Sequence, residues 1–240
     1  MESSRKTIDH SLDGHGTLVI MAKAPRPGMV KTRLARSLPV AAVTELYRCL
    51  LNDTIALARA LDGVEVAVMC PESDVEDLGC AVGDRVRVVP QMGKGLAAGL
   101  TSVFAHFAGA DHSRIVAFNS DSPHLPASVL ESAFHALAKC DVVIGPTHDG
   151  GYYLVGATAS HPGLFTGDVL GTTNAFEALL TRARALRLSV RLTDPFYDID
   201  EAADLDRFAA ELQGGPEKAP RTAEWLQAWR TGVRQCGGGP

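Results

Sequence analysis

Four cations, Lys23, Arg26, Lys31 and Arg33, fall within eleven residues of the stretch KAPRPGMVKTRLA (23–35). Pro25 and Pro27 stiffen that stretch, and Gly28 lets its backbone come close to a ligand. Arg clamps phosphate bidentately and Lys acts as a point charge, so the chemistry open to this loop is polyphosphate binding. It is not a Walker loop, because only Gly28 precedes Val-Lys-Thr and the spacing is wrong. Carboxylates form a second group: Asp121 in RIVAFNSDSPHLP (114–126), and Asp198 and Asp200 in DPFYDIDEAADL (194–205). Hard cations take oxygen ligands. Acids from two distant segments plus phosphate oxygens therefore predict one Mg2+ or Mn2+ held by Asp121 and either Asp198 or Asp200. Asp121 can also be read as the cap of the helix that follows, although Pro126 and Ser128 stand nearer its start, and Asp200 can likewise be read as a helix cap.

Two glycine-bearing turns complete the set. In GPTHDGGYYLVG (145–156), His148, Asp149, Gly150 and Gly151 mark a tight turn before Tyr152. Beside a nucleotide crevice they become candidates for substrate contact. In VVPQMGKGLAAGL (88–100), Gly93, Gly95 and Gly99 read GxGxxxG, one residue longer than the dinucleotide fingerprint and not at the first strand, which excludes a Rossmann reading. Such a strand-to-helix turn can still offer backbone N–H groups to a base or phosphate.

Short β-rich runs alternate with helical periodicity. Strands are expected at 17–22, 64–69, 85–89, 114–119, 141–145, 152–156 and 188–192, and helices near 40–61, 95–108, 126–138, 173–186 and 201–211. Several strands are apolar without alternation, as when both faces of a sheet are covered. Alternating β and α units imply an α/β fold with a mostly parallel sheet. The short loop between 141–145 and 152–156 adds one small antiparallel element. In such sheets ligands bind outside the carboxyl ends of the strands, which is where the basic loop, the Gly-rich turn and Asp121 fall. Residues 1–15 read as a disordered leader, 16–213 as the nucleotide-binding domain, and 214–240 as a peripheral tail with one short helix at 223–230.

Composition narrows the classes. A 240-residue chain with 46% hydrophobic residues can fill one large core. Its net charge of −5 argues against a nucleic-acid binder. The sequence has no apolar run long enough to span a bilayer and no signal-like N-terminus, so the reading is a cytoplasmic protein without a membrane partner. Five scattered cysteines without CxxC spacing exclude a disulfide framework or zinc site, and the oligomeric state stays open.

Taken in order, MAKAPRPGMVKTRLA, NSDSPHL, GPTHDGGYYLVG and YDIDEAADL resemble the DUF2064 transferases, also called radical-SAM/selenodomain-associated transferases, over about residues 17–206. The resemblance implies the GT-A fold of nucleotide-diphospho-sugar transferases. The basic loop and the acid pair are also similar to nucleotidyltransferases of that fold, such as the phospholactate guanylyltransferases. By that similarity Lys23, Lys31 and Arg33 contact a triphosphate, with Ala22, Arg26, Gly28, Gly93, Gly95 and Ser120 completing the nucleotide site. Asp121 and Asp200 hold the metal, and His148, Gly150, Gly151 and Tyr152 meet the acceptor. The chain departs from the family where MGKGLAAGL replaces a GDLGER-like segment, and where Gly-Thr-Thr (171–173) replaces a Trp-Ser-Thr element.

Two functions follow. In nucleotidyl transfer, a small phosphorylated acceptor attacks a nucleoside triphosphate, and Lys31 and Arg33 stabilise the departing pyrophosphate. In glycosyl transfer from a nucleotide sugar, Asp149 or His148 is the general base. Four cations fit a triphosphate better than a diphosphate, which favours the first. A non-catalytic nucleotide-binding module is a third reading, opposed by the intact acid pair.

Overall fold

A computed structural model describes residues 16–108, 114–212 and 218–236. The leader expected over residues 1–15 lies outside the described residues. Seven strands form one sheet in the order β3-β2-β1-β4-β6-β5-β7. The strands are β1 (Gly16–Met21), β2 (Val64–Cys70), β3 (Arg87–Pro90), β4 (Arg114–Asn119), β5 (Val142–Pro146), β6 (Tyr152–Ala157) and β7 (Val190–Leu192). β1 pairs in parallel with β2 and β4, β2 with β3, and β5 with β7. Among the described strands only β6 runs against its neighbours, β4 and β5. The expected architecture, a mostly parallel sheet with one antiparallel element, is what forms.

The helices are α1 (Val40–Arg59), α2 (Val75–Val82), α3 (Gly95–Phe107), α4 (Ala127–Leu137), α5 (Ala175–Ala185), α6 (Ala202–Glu211) and α7 (Pro220–Cys236). Successive strand residues point to opposite faces of the sheet. Thus Leu18, Ile20, Val116 and Phe118 join Leu51, Ile55, Leu130 and Phe134 on one face. Val19, Ile115 and Ala117 meet Leu100, Phe104 and Leu179 on the other. Helices on both faces explain why these strands are apolar throughout. Each such Leu, Ile or Phe contributes about 1.5–3 kcal/mol by leaving water.

A third cluster sits on the outer side of α1. There Val43, Leu46 and Leu50 pack with Tyr197, Ile199, Phe208 and Leu226. The helix in the C-terminal segment is longer than the expected 223–230, and its start is fastened to α1. Buried Asp53 accepts hydrogen bonds from the Thr222 amide and hydroxyl, both at 2.8 Å.

β2 and β3 lie on one side of β1, and β4 lies on the other. The chain therefore changes direction between β1 and β4, where a crevice opens beyond the strand ends.

Candidate nucleotide and metal site

At that crevice lies a cavity of about 1100 Å³, lined by residues that follow four strand ends. After β1 come Ala22, Lys23, Met29, Val30, Lys31, Thr32 and Arg33; after β2, Pro71, Glu72 and Ser73. Gln91, Gly93, Lys94, Gly95 and Leu96 follow β3, and Ser120 and Asp121 follow β4. Tyr47 of α1 forms part of the wall, and Asp200 comes in from the far end of the chain.

The backbone explains how Asp200 arrives. Beyond β7 the chain runs beside β5, with the Phe196 amide donating to the Pro146 carbonyl at 3.0 Å. It then crosses to the end of β4, where the Ile199 amide donates to the Asp121 carbonyl at 2.9 Å. Asp198 is the half-buried pin of this crossing. Its Oδ1 accepts Asn119 Nδ2 and Ser122 Oγ, each at 2.7 Å. Burial, then the neighbouring charge of Asp121, raises the Asp198 carboxyl to about 6. The start of α6 is served by others: Glu201 is its N-cap, and Asp204 accepts the amides of Asp200 and Glu201 at 2.9 and 2.7 Å. The Asp200 carboxylate is thereby left to face the cavity, not to cap the helix.

Asp121 and Asp200 meet across one cation, the ammonium of Lys31. Its Nζ stands 2.8 Å from Asp121 Oδ1 and 2.6 Å from Asp200 Oδ1, with only 3% of the side chain exposed. Burial opposes the charge, but the two carboxylates outweigh it and hold the Lys31 ammonium above its ordinary range. Arg33 reaches Asp200 Oδ2 at 3.4 Å from solvent.

Tyr47 closes the floor. Its hydroxyl accepts the Lys23 amide at 3.0 Å and lies 3.3 Å from Ser120 Oγ, joining the basic loop to the end of β4. Burial raises that phenol to about 12, so it stays a neutral hydrogen-bonding group. Gln91 Nε2 donates to the carbonyls of Gly93 at 3.1 Å and Gly95 at 3.4 Å, shaping the Gly-rich turn.

Of the expected site residues, Ala22, Lys23, Lys31, Arg33, Gly93, Gly95, Ser120, Asp121 and Asp200 gather on this cavity. Others do not. Arg26 turns away to α2, where NH1 pairs with Asp74 Oδ1 at 2.7 Å and Nε with Asp77 Oδ2 at 2.6 Å. Asp74 also accepts the Ala24 amide at 2.9 Å, so this clasp shapes the loop and does not point at the cavity. Gly28 adopts φ +72 at the exposed tip of the same loop.

The Thr147–Gly151 turn stands outside the cavity lining. Asp149 accepts Thr147 Oγ1 at 2.5 Å and the Gly151 amide at 3.3 Å, and the Thr147 bond leads in holding its carboxyl below the usual range. Gly150 has φ +89, and a Cβ there would lie 2.0 Å from the Thr173 carbonyl. His148 is exposed at the tip. Tyr152 is a correction: its ring packs on the core and its hydroxyl donates to the Leu170 carbonyl at 3.2 Å, away from the cavity. Sequence reasoning missed Tyr47, Gln91 and Lys94. Lys94 had a signal, a lysine inside a strand-to-helix glycine turn, whereas Tyr47 has the helical spacing of a core residue.

Residues 54–172 match the family DUF2064, described as an uncharacterized protein conserved in bacteria. The segment contains Asp121 and the Asp149 turn, while the basic loop and Asp200 flank it. The chain is also 27% identical, over 188 residues, to the 2-phospho-L-lactate guanylyltransferase of Methanothermobacter thermautotrophicus, covering 77% of this chain and 80% of that one. Among solved structures it resembles a protein of Desulfovibrio desulfuricans described as a nucleotide-diphospho-sugar transferase. That match has TM-score 0.83 and 24% identity over 92% of this chain and 97% of the other. It also resembles a nucleotidyl transferase from Methanothermobacter, with TM-score 0.54 and 18% identity over 85% of this chain and 100% of that one. These structural likenesses establish the fold: the α/β architecture is that of the GT-A-like nucleotide-diphospho-sugar transferases.

Proposed function

We propose that this protein is a metal-dependent nucleotidyltransferase that joins the nucleoside monophosphate of a nucleoside triphosphate to a small phosphorylated or similar oxyanionic acceptor. The observation that carries this reading is the meeting of Asp121 and Asp200 on one buried cation at the wall of a cavity that Lys23, Arg33 and Lys94 also line. The guanylyltransferase relative supports it, since that protein uses a nucleotide of this kind by its name.

The acid pair fits Mg2+ or Mn2+. Both donors are hard carboxylate oxygens, and the charge now between them is positive. Among the described residues no group of three or more His, Cys, Asp or Glu forms a ready cage. Phosphate oxygens of the substrate would therefore supply the remaining ligands, as is usual for Mg2+. Bound there, the ion would neutralise developing charge on the phosphates.

The chain's own groups do the rest by position and charge. An acceptor oxygen forms a bond to the α-phosphorus as the bond from that phosphorus to the bridging oxygen breaks, and pyrophosphate leaves with the electron pair. Lys23, Lys31 and Arg33 balance the negative charge that collects on the departing group. The Gly93–Gly95 turn and the start of α3 receive the base or a phosphate through backbone N–H groups.

Glycosyl transfer would need Asp149 or His148 as base. The Thr147 and Gly151 bonds that hold Asp149 ionised also make it a weaker base. The discriminating assay supplies Mg2+, each ribonucleoside triphosphate and a panel of small phosphorylated acceptors, and measures pyrophosphate. Release that depends on both enzyme and acceptor is expected. Release of a nucleoside diphosphate from a nucleotide sugar, with no pyrophosphate from any triphosphate, would replace this reading with glycosyl transfer.

A further inference from the structure

Lys31 holds the two oxygens that a metal ion would need. Its Nζ is within hydrogen-bonding distance of Asp121 Oδ1 and Asp200 Oδ1 at once. Its backbone is left-handed, φ +48, a conformation that costs a non-glycine residue on the order of 1 kcal/mol and persists only where the surroundings hold it. The loop is fixed on its other side by the Arg26–Asp74 pair and by the Asp74 bond to the Ala24 amide. Lys31 is thus set into the acid pair by the loop's own construction.

We infer that Lys31 is the resident counter-cation of the metal site, so that metal entry and triphosphate binding are one coupled event. This rests on the reading of Asp121 and Asp200 as metal ligands. A divalent ion arriving alone must displace a buried ammonium from both carboxylates and then stand beside it. Like charges that close, in a poorly hydrated place, repel strongly. A triphosphate changes the balance, because its oxygens give the Lys31 ammonium a new partner while adding ligands to the metal. Each ligand then binds better in the presence of the other, and by thermodynamic linkage the enhancement is the same in both directions. Lys31 also keeps the acid pair from taking up free divalent ions when nucleotide is scarce.

The test reads binding, not turnover. The Mn2+ dissociation constant is measured by electron paramagnetic resonance on the nucleotide-free full chain and on Lys31→Met, with circular dichroism to confirm folding. The variant is expected to bind Mn2+ at least about tenfold more tightly than the native chain, since one positive charge has left the site. Equal or weaker binding overturns the inference and leaves the metal reading intact. Mn2+ binding to neither protein, even with a non-hydrolysable triphosphate present, overturns the inference together with the metal reading. If Lys31→Met does not fold, the native chain still decides the matter through the NMR signal of its Lys31 ammonium. That signal should hold its position in Mg2+ alone and move when Mg2+ and the triphosphate analogue are added together. A shift in Mg2+ alone overturns the coupling.

Discussion

Lys31 Nζ and Asp200 Oδ1 are 2.6 Å apart, although one belongs to the loop after the first strand and the other stands at the door of α6. Asp121, at the end of β4, meets the same ammonium at 2.8 Å. Three segments far apart in the sequence converge on one charge, and the Asn119–Asp198 and Ser122–Asp198 bonds hold two of them together. A contact of this kind has a chemical purpose to answer for, because surface packing alone does not require it.

Asp121→Asn and Asp200→Asn keep the side-chain shape and remove one charge each. Both are expected to lower triphosphate-dependent turnover by on the order of 100-fold or more, while circular dichroism shows an intact fold. Turnover near that of the native protein in either variant would take that residue out of the mechanism.

Lys31 and Arg26 should separate cleanly. Lys31→Ala is expected to weaken triphosphate binding by at least about tenfold and nucleoside binding hardly at all, because the lost group is a point charge for phosphate. Arg26→Ala should cost less triphosphate affinity, since its guanidinium faces Asp74 and Asp77. Isothermal titration of both variants with triphosphate and nucleoside checks this. Equal losses for the two ligands in Lys31→Ala would make the loop structural.

Much of this was readable in the sequence, and the exceptions have a common cause. The alternation of strands and helices, the place of Asp121 at a strand end and the cationic loop after β1 depend on local spacing, and each stands where expected. Arg26 is expected at phosphate, but its partners Asp74 and Asp77 stand at the start of α2, far along the chain from the loop, where local spacing does not mark them. Tyr152 follows a functional-looking glycine turn, yet strand alternation turns its ring toward the α5 side of the sheet. Asp53 looks like any polar residue in an amphipathic helix, and only the fold reveals that Thr222 docks on it. Such long-range partners leave no mark on spacing.

His124 offers a pH test. Its ring is fully buried against Phe196, Tyr197 and Phe208, and neither nitrogen has a hydrogen-bond partner among the described residues. Burial, then the charges of Lys218 and Arg207, lowers its pKa from 6.5 to about 3. A folded pKa below the unfolded one means the unfolded chain binds the extra proton first. Stability is then complete above pH ~6.5 and falls toward pH 3, by up to about 1.4 kcal/mol per pH unit for one group. Urea denaturation between pH 7 and 5 should show a shallower loss in His124→Phe than in the native chain. Parallel slopes would show that His124 does not carry this dependence.

Asp53→Ala should detach the start of α7. It strands the Thr222 amide and hydroxyl, both bonded to Asp53 at 2.8 Å. The expected cost is about 1–3 kcal/mol, read as a lower urea midpoint at pH 7. An unchanged midpoint would mean that water satisfies those donors equally well.

A thermal-shift panel reads the proposed site for a nucleoside triphosphate and a divalent ion. The native chain is melted with Mg2+ and each of the four ribonucleoside triphosphates, and separately with common nucleotide sugars, all at about 100 times the expected dissociation constant. Ligand binding to the native state alone adds about 2.7 kcal/mol at that excess, which for a chain of this size is a rise of roughly 5–10 °C. Such a rise is expected with at least one triphosphate, requiring Mg2+ and lost in Asp121→Asn. Stabilisation by a nucleotide sugar alone, with every triphosphate silent, would contradict it.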